Sequence, residues 1–234
     1  MAETTFETRR DELETYFDKT APEKWVALTS NSPVSRIRET VRAGREEMRN
    51  TLLSWLPENL TGARVLDAGC GTGMLSIELA RRGAEVVAID ISPVLIAEAE
   101  RRKPANLGHG SIHYMAGDMS SPKLDHFDFA VAMDSFIHYP LPSIIELLQG
   151  LAPRTSQRIL FTFAPRTPML AAMKTVGKFF PKNDRSPAIE PVAQAKLLDA
   201  IASQAATLNG FQAARCEGVS TAFYKSSALE LVRQ

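Results

Sequence analysis

The sequence predicts an α/β protein, a doubly wound and mainly parallel sheet with a helical arm ahead of it and an antiparallel hairpin behind. Three observations predict this. From residue 63 onward strand and helix patterns alternate, an order that implies parallel strands joined by right-handed crossovers. Three glycines, Gly69, Gly71 and Gly73, stand where the first apolar run meets a helical pattern. Near the end the alternation gives way to two strand patterns in succession.

The elements follow in order. Residues 5–17 read as a charged helix with one apolar stripe of Phe6, Leu13, Tyr16 and Phe17. Residues 35–55 carry Ile37, Val41, Met48, Leu52 and Trp55 at helical spacing. "PENLTG" then breaks the chain. "ARVLDA" is the first strand and "MLSIELARRG" a helix ending on Gly83. "AEVVAID" is the second strand, and Ser92-Pro93 open the next helix as N-cap and first turn. "SIHYMAGD" and "DFAVAMD" are short strands, followed by a helix over 141–151 and the strand "RILFTFA". A helix near 192–208 precedes "GFQAARCE" and "VSTAFYKS", which read as a hairpin joined by a short glycine-containing link. The expected division is a helical arm at 1–58, folded over a cofactor, and a sheet domain at 59–234 in which 163–187 form a lid.

Composition narrows the function. The 234 residues, 44% hydrophobic, suffice for one α/β domain with extensions. Basic and acidic residues balance at 27 each, without the basic excess of a nucleic-acid binder. Cys70 and Cys216 are too few and too far apart for a disulfide framework or a zinc site, which fits a reducing compartment. The charged start argues against a signal peptide. No apolar run nears the roughly 20 residues that cross a bilayer. The expectation is a soluble cytoplasmic protein, with no protein-bound metal and no nucleic-acid partner.

The glycine turn separates ligand classes. Its spacing is G-x-G-x-G, with Met74 where a dinucleotide fingerprint has its third glycine. Asp67, just ahead of it, would repel a pyrophosphate and suit a ligand carrying an ammonium group. Asp90 ends the second strand, 19 positions after Gly71, where a carboxylate accepts hydrogen bonds from ribose hydroxyls. Asp118 and Asp134 close the third and fourth strands. Any one of these acids serves equally well as a turn or cap residue. Four in register with the loop point to a ligand at the carboxyl ends of the strands.

"VLDAGCGTG", "AIDIS" and "GDM" together resemble the class I S-adenosylmethionine-dependent methyltransferases. The resemblance implies a Rossmann-like, seven-stranded sheet whose last strand is antiparallel, in agreement with the hairpin. It places the methionine moiety beside Asp67, Gly69, Cys70, Gly71 and Gly73, the ribose on Asp90 with Ile91, and the adenine on Asp118 with Met119. Asp134 joins this set at the end of the fourth strand. S-adenosylhomocysteine is the implied product.

Further motifs resemble one family, the magnesium-protoporphyrin IX O-methyltransferases. They are Tyr16-Phe17 with Trp25, "RAG" (42–44), "IHYP" (137–140), "FAPRT" (163–167), "FFP" (179–181) and "FYKSSALE" (223–230). The resemblance implies methylation of the propionate at ring carbon 13 of magnesium-protoporphyrin IX, giving the monomethyl ester in (bacterio)chlorophyll biosynthesis. It also implies contact with the large subunit of magnesium chelatase. One departure is Thr29, where family members can carry a tyrosine, so a role for that tyrosine does not transfer.

The residues suit this chemistry. A propionate ionises near pH 4.3 and needs no strong base, so catalysis reads as largely alignment, which supplies roughly 7–11 kcal/mol when the reacting atoms are well oriented. His138, after the fourth strand, is the candidate catalytic residue. It would hydrogen-bond the propionate or, less favourably, bind the porphyrin's magnesium; alternatively it only fixes its turn. Tyr139 is read as substrate-binding or as structural. His109, His113 and His126 read as surface residues. In the expected lid, Met169, Leu170, Met173, Val176, Phe179 and Phe180 offer apolar surface, and Arg166, Lys174, Lys178 and Lys182 would meet carboxylates. An amphipathic surface helix, or a peripheral membrane contact, are the other readings of that stretch. For the whole chain, the alternatives are methylation of another small molecule such as a quinone, or a cofactor- or porphyrin-binding protein without catalysis.

Overall fold

β1 (Arg64–Ala68) is the third strand of the sheet, and the chain reverses direction around it. The structure, a computed structural model, describes residues 6–20, 29, 35–121, 124–166 and 189–233. Among them β1, β2 (Glu85–Asp90), β3 (Ser111–Ala116), β4 (Phe127–Ala132), β5 (Thr155–Phe163), β6 (Phe211–Ser220) and β7 (Lys225–Arg233) form one sheet in the order β3-β2-β1-β4-β5-β7-β6. β1 to β5 pair in parallel, and β7 runs antiparallel to both β5 and β6. The strands step outward from β1 to β3, and then β4 pairs on the other side of β1. That switch opens a crevice at the carboxyl ends of β1 and β4, where doubly wound sheets take ligands.

Burial follows position in the sheet. The central strands β1 and β4 are apolar and nearly continuously buried, as both faces are covered. On one face lie Met48 and Leu52 of α2 (Arg36–Ser54), Leu75 and Leu79 of α3 (Met74–Arg81) and Ala99 of α4 (Pro93–Arg102). The other is covered by Leu13 of α1 (Phe6–Thr15), Ile144 and Leu148 of α5 (Leu141–Leu151), and Leu197 and Ile201 of α6 (Gln194–Ser203). Edge strand β6 is largely exposed and carries Arg215 and Glu217, charges that discourage further pairing.

Ser92 caps α4 as expected, its Oγ accepting from Leu95 N at 3.2 Å. Three boundaries differ from the sequence reading. α1 ends at Thr15 and a π-helical turn, Tyr16–Thr20, carries the chain onward. α6 spans Gln194–Ser203, shorter than the apolar pattern suggested, and turns follow it to Gly210. The hairpin link is not at Gly218, which pairs with Ser227 inside the ladder. The turn lies at Thr221–Tyr224, closed by Thr221 N to Tyr224 O at 2.8 Å. The sequence reading places the second strand too early because β7 begins Lys225-Ser226-Ser227 and holds Glu230. That glutamate is 1% exposed and is neutralised by Arg158 at 3.2 Å and Arg215 at 2.6 Å, so it is tolerated inside the sheet.

Most of the expected lid lies outside the described residues. Among the described residues no helix is long and apolar enough to cross a membrane.

Candidate active site

The glycine loop leaves β1 in left-handed backbone, with φ of 79° at Gly69 and 78° at Gly73. Both also pack too closely for a side chain. A Cβ on Gly69 would lie 2.4 Å from Ser135 Cβ, and one on Gly73 2.2 Å from Tyr114 Oη. Gly69 N and Cys70 N both donate to Ile89 O, at 2.8 and 3.0 Å, which ties the loop to the end of β2. A cavity of about 250 Å³ opens above it.

Parallel register brings the strand-end acids into this cavity. Asp67 is 1% exposed and accepts from Ser76 Oγ at 2.6 Å. Burial pushes its carboxyl up to about 7, against the Ser76 hydrogen bond that lowers it, with the nearby Asp90 charge adding to the rise. Asp90 is also raised by burial, partly offset by hydrogen bonds from Ser92 N and Gly71 N. Those bonds fix its two oxygens, with Gly71 N at 2.8 Å from Oδ2 and Ser92 N at 3.0 Å from Oδ1. Asp118 Oδ1 accepts from Ser120 N and Ser120 Oγ, both at 2.7 Å. Cys70 stays a protonated thiol, because burial and then the Asp67 and Asp90 charges push it well up.

The helical arm meets the acids from above. Arg10 of α1 reaches Asp118 Oδ2 at 3.2 Å, and Arg9 pairs with Glu190 at 2.9 Å. Phe6 stacks on Tyr139 with ring centroids 5.4 Å apart, and Phe17 meets the His138 ring edge-on at 6.0 Å. Asp18 accepts from Ser92 Oγ at 2.6 Å, adding an acid at the N-terminus of α4, where the helix dipole favours it.

α2 supplies another wall. Arg42, Arg45 and Arg49 line the cavity, at the i, i+3, i+7 spacing of one helix face. Arg45 pairs with Asp134 at 2.8 Å. Tyr224 Oη donates to Asp134 Oδ1 at 2.8 Å, and Asp134 N donates to Thr162 Oγ1 at 2.7 Å. Gly44 allows this approach, for a Cβ there would sit 2.6 Å from the Tyr224 ring. Asp134 is thereby tied to the protein by a hydrogen bond at Oδ1 and an ion pair at Oδ2, which accepts no hydrogen bond among the described residues, although the residue lines the cavity.

Eleven of the candidate cofactor, catalytic and substrate residues share this one cavity: Asp67, Gly69, Cys70, Gly71, Asp90 and Ile91, then Asp118, Met119, Asp134, His138 and Tyr139. Gly73 shapes the loop from behind. Arg166 is exposed and off the cavity wall, its N–H donating to Val192 O at 3.0 Å. Lys174 lies outside the described residues. His109, His113 and His126 are exposed, as read. The sequence reading missed Arg10, Arg45 and Arg49, though the arginine spacing on α2 was a signal open to it. Thr29 lines the cavity too, and Arg102 holds it through its carbonyl at 2.7 Å and its hydroxyl at 3.0 Å.

Buried carboxylates beside a glycine loop suit a ligand with cationic and hydroxyl groups and disfavour a polyphosphate beside Asp67. Fold and cavity together define a class I S-adenosylmethionine-dependent methyltransferase, and residues 65–155 match the family described as "Methyltransferase domain". Residues 132–233 match "Magnesium-protoporphyrin IX methyltransferase C-terminus". The chain is 47% identical to the magnesium-protoporphyrin O-methyltransferase of Rhodobacter capsulatus, over 94% of this chain and 95% of that one. It is 31% identical to the Synechocystis enzyme of the same name, over 93% and 94%. A crystal structure of magnesium protoporphyrin IX methyltransferase from Synechocystis, with bound SAH, superposes with a TM-score of 0.83 at 30% identity, covering 97% of this chain and all of that one. The chain belongs to the magnesium-protoporphyrin O-methyltransferase family.

Proposed function

We propose that the protein transfers a methyl group from S-adenosylmethionine to the propionate at ring carbon 13 of magnesium-protoporphyrin IX. The observation that carries this is one cavity holding both requirements, carboxylates around a glycine loop and arginines on the facing helix. Bound there, the cofactor supplies an electrophilic methyl on a positively charged sulfur. Asp67 takes the ammonium end, Asp90 the ribose hydroxyls and Asp118 the adenine amine. These residues hold rather than react, and the rate arises from alignment in a site closed to water. His138 donates a hydrogen bond that orients the propionate, and Tyr139 with Phe6 forms the apolar edge against the macrocycle. Residues 1–58 act as the cover over the cofactor and 163–187 as the cover over the porphyrin, with Arg166 and Lys174 meeting its carboxylates. The resemblance extends the proposal to contact with the large subunit of magnesium chelatase and, at most, a peripheral membrane contact.

The test is incubation with S-adenosylmethionine and magnesium-protoporphyrin, with metal-free porphyrin beside it. A gain of one methyl, located at the carbon-13 propionate by NMR and favoured by magnesium, supports the reading. An unmodified porphyrin with a methylated quinone in a parallel reaction overturns it. His138→Ala lowers kcat with cofactor affinity nearly intact if the imidazole orients substrate; an equal loss of both makes it a structural residue.

A further inference from the structure

Arg49 is a cavity-lining cation left with an unused donor among the described residues. Arg10 is paired with Asp118 and Arg45 with Asp134. Arg49 lines the same cavity, and among the described residues its buried Nε has no hydrogen-bond partner. Arg9 and Arg154 also have an unpartnered buried Nε, but their terminal nitrogens bind Glu190 and the Ser121 carbonyl respectively. An unsatisfied buried donor on a charged group is costly and unusual in a folded protein.

Depth in the cavity is set by the run of α2. Thr40 O accepts from Thr221 in the hairpin turn, Arg45 meets Asp134 above β4, and Trp55 O meets Arg158 low in β5. The helix therefore descends along the sheet, and Arg49 stands one turn below Arg45, about 6 Å farther in. Thr72 and Leu75, at the start of α3, line this cavity. The walls around the loop are otherwise acidic, from Asp67 and Asp90, so an anionic group seated there needs a cation of its own. A guanidinium presents a planar fork that matches a carboxylate.

We propose that Arg49 is a carboxylate-binding residue of this active site. The proposal rests on the functional reading above, in which both reactants carry carboxylates: the amino-acid end of the cofactor and the propionates of the porphyrin. The depth of Arg49 places it beside the first of these.

The test uses the full chain and three binding titrations. Arg49→Gln is compared with the wild type for S-adenosylhomocysteine, for 5′-methylthioadenosine, which has the same nucleoside and no carboxylate, and for magnesium-protoporphyrin against its dimethyl ester. A loss of about 10- to 100-fold toward S-adenosylhomocysteine, with 5′-methylthioadenosine unaffected, supports a receptor for the cofactor carboxylate. Unchanged S-adenosylhomocysteine binding with weaker binding of the porphyrin diacid, and not of the diester, supports a receptor for a propionate. Equal losses toward S-adenosylhomocysteine and 5′-methylthioadenosine, or no loss toward any ligand, overturn the proposal. Arg49→Lys, which keeps the charge without the fork, is read by the same criteria if the Gln variant does not fold. A wild-type protein that binds neither S-adenosylhomocysteine nor porphyrin contradicts the functional reading itself, whereas wild-type binding with an indifferent variant contradicts only the role of Arg49.

Discussion

Asp67 shows how one residue serves function at the expense of stability. Folding raises its carboxyl from the ordinary 3.8 to about 7. The resulting penalty is absent below the unfolded value and complete above the folded one, so stability declines as pH rises from about 3.8 to about 7. Asp67→Asn is expected to raise the melting temperature at pH 8 more than at pH 5, measured by calorimetry. The ionised form is the one that attracts a cation, so S-adenosylmethionine should bind about fivefold more tightly at pH 7 than at pH 6, below the range in which its own amino group loses its proton. The Asn variant should bind weakly with a flat profile, and an unchanged slope would show that another group titrates. Asp90→Ala should weaken cofactor binding by about 1–3 kcal/mol. At this scale much was legible, since strand-end acids declare themselves by position alone. The fate of Asp134 was not, because its partners Arg45, Thr162 and Tyr224 are distant in sequence.

α2 is the element on which the site depends most. Its apolar stripe was readable, and Met48 and Leu52 are fully buried. Its arginine face was not read as a wall of the cavity, because helical spacing reveals which residues share a face but not what that face meets. Gly44 links the two. Gly44→Val would force α2 from Tyr224 and is expected to destabilise by about 1–3 kcal/mol, lowering the melting temperature by roughly 2–4 °C per kcal/mol. Tyr224→Phe keeps the packing and removes the bond to buried Asp134, a loss of about 1–3 kcal/mol. If that variant melts with the wild type, the network does not hold α2 in place. The arm works through fewer contacts. Removing the Arg10–Asp118 pair by Arg10→Ala should raise the cofactor dissociation rate with little change in melting temperature, since the pair is partly exposed.

For the molecule as a whole, alternation of strand and helix determined the sheet, and a glycine turn located its crevice. What alternation does not encode is where a hairpin turns when its second strand carries a buried acid. β7 depends on Arg158 and Arg215 to accept Glu230, and neither is adjacent to it in sequence. The balanced charge also conceals local structure, for the arginines on α1 and α2 and the strand-end acids meet within one cavity. The central claim is that this cavity aligns a cationic sulfur with an anionic propionate. A crystal structure with S-adenosylhomocysteine and magnesium-protoporphyrin bound together tests it most directly. The expected result is the ribose on Asp90 with the sulfur facing a propionate oxygen across room for one methyl group. A sulfur facing protein, with both propionates directed to solvent, would contradict it.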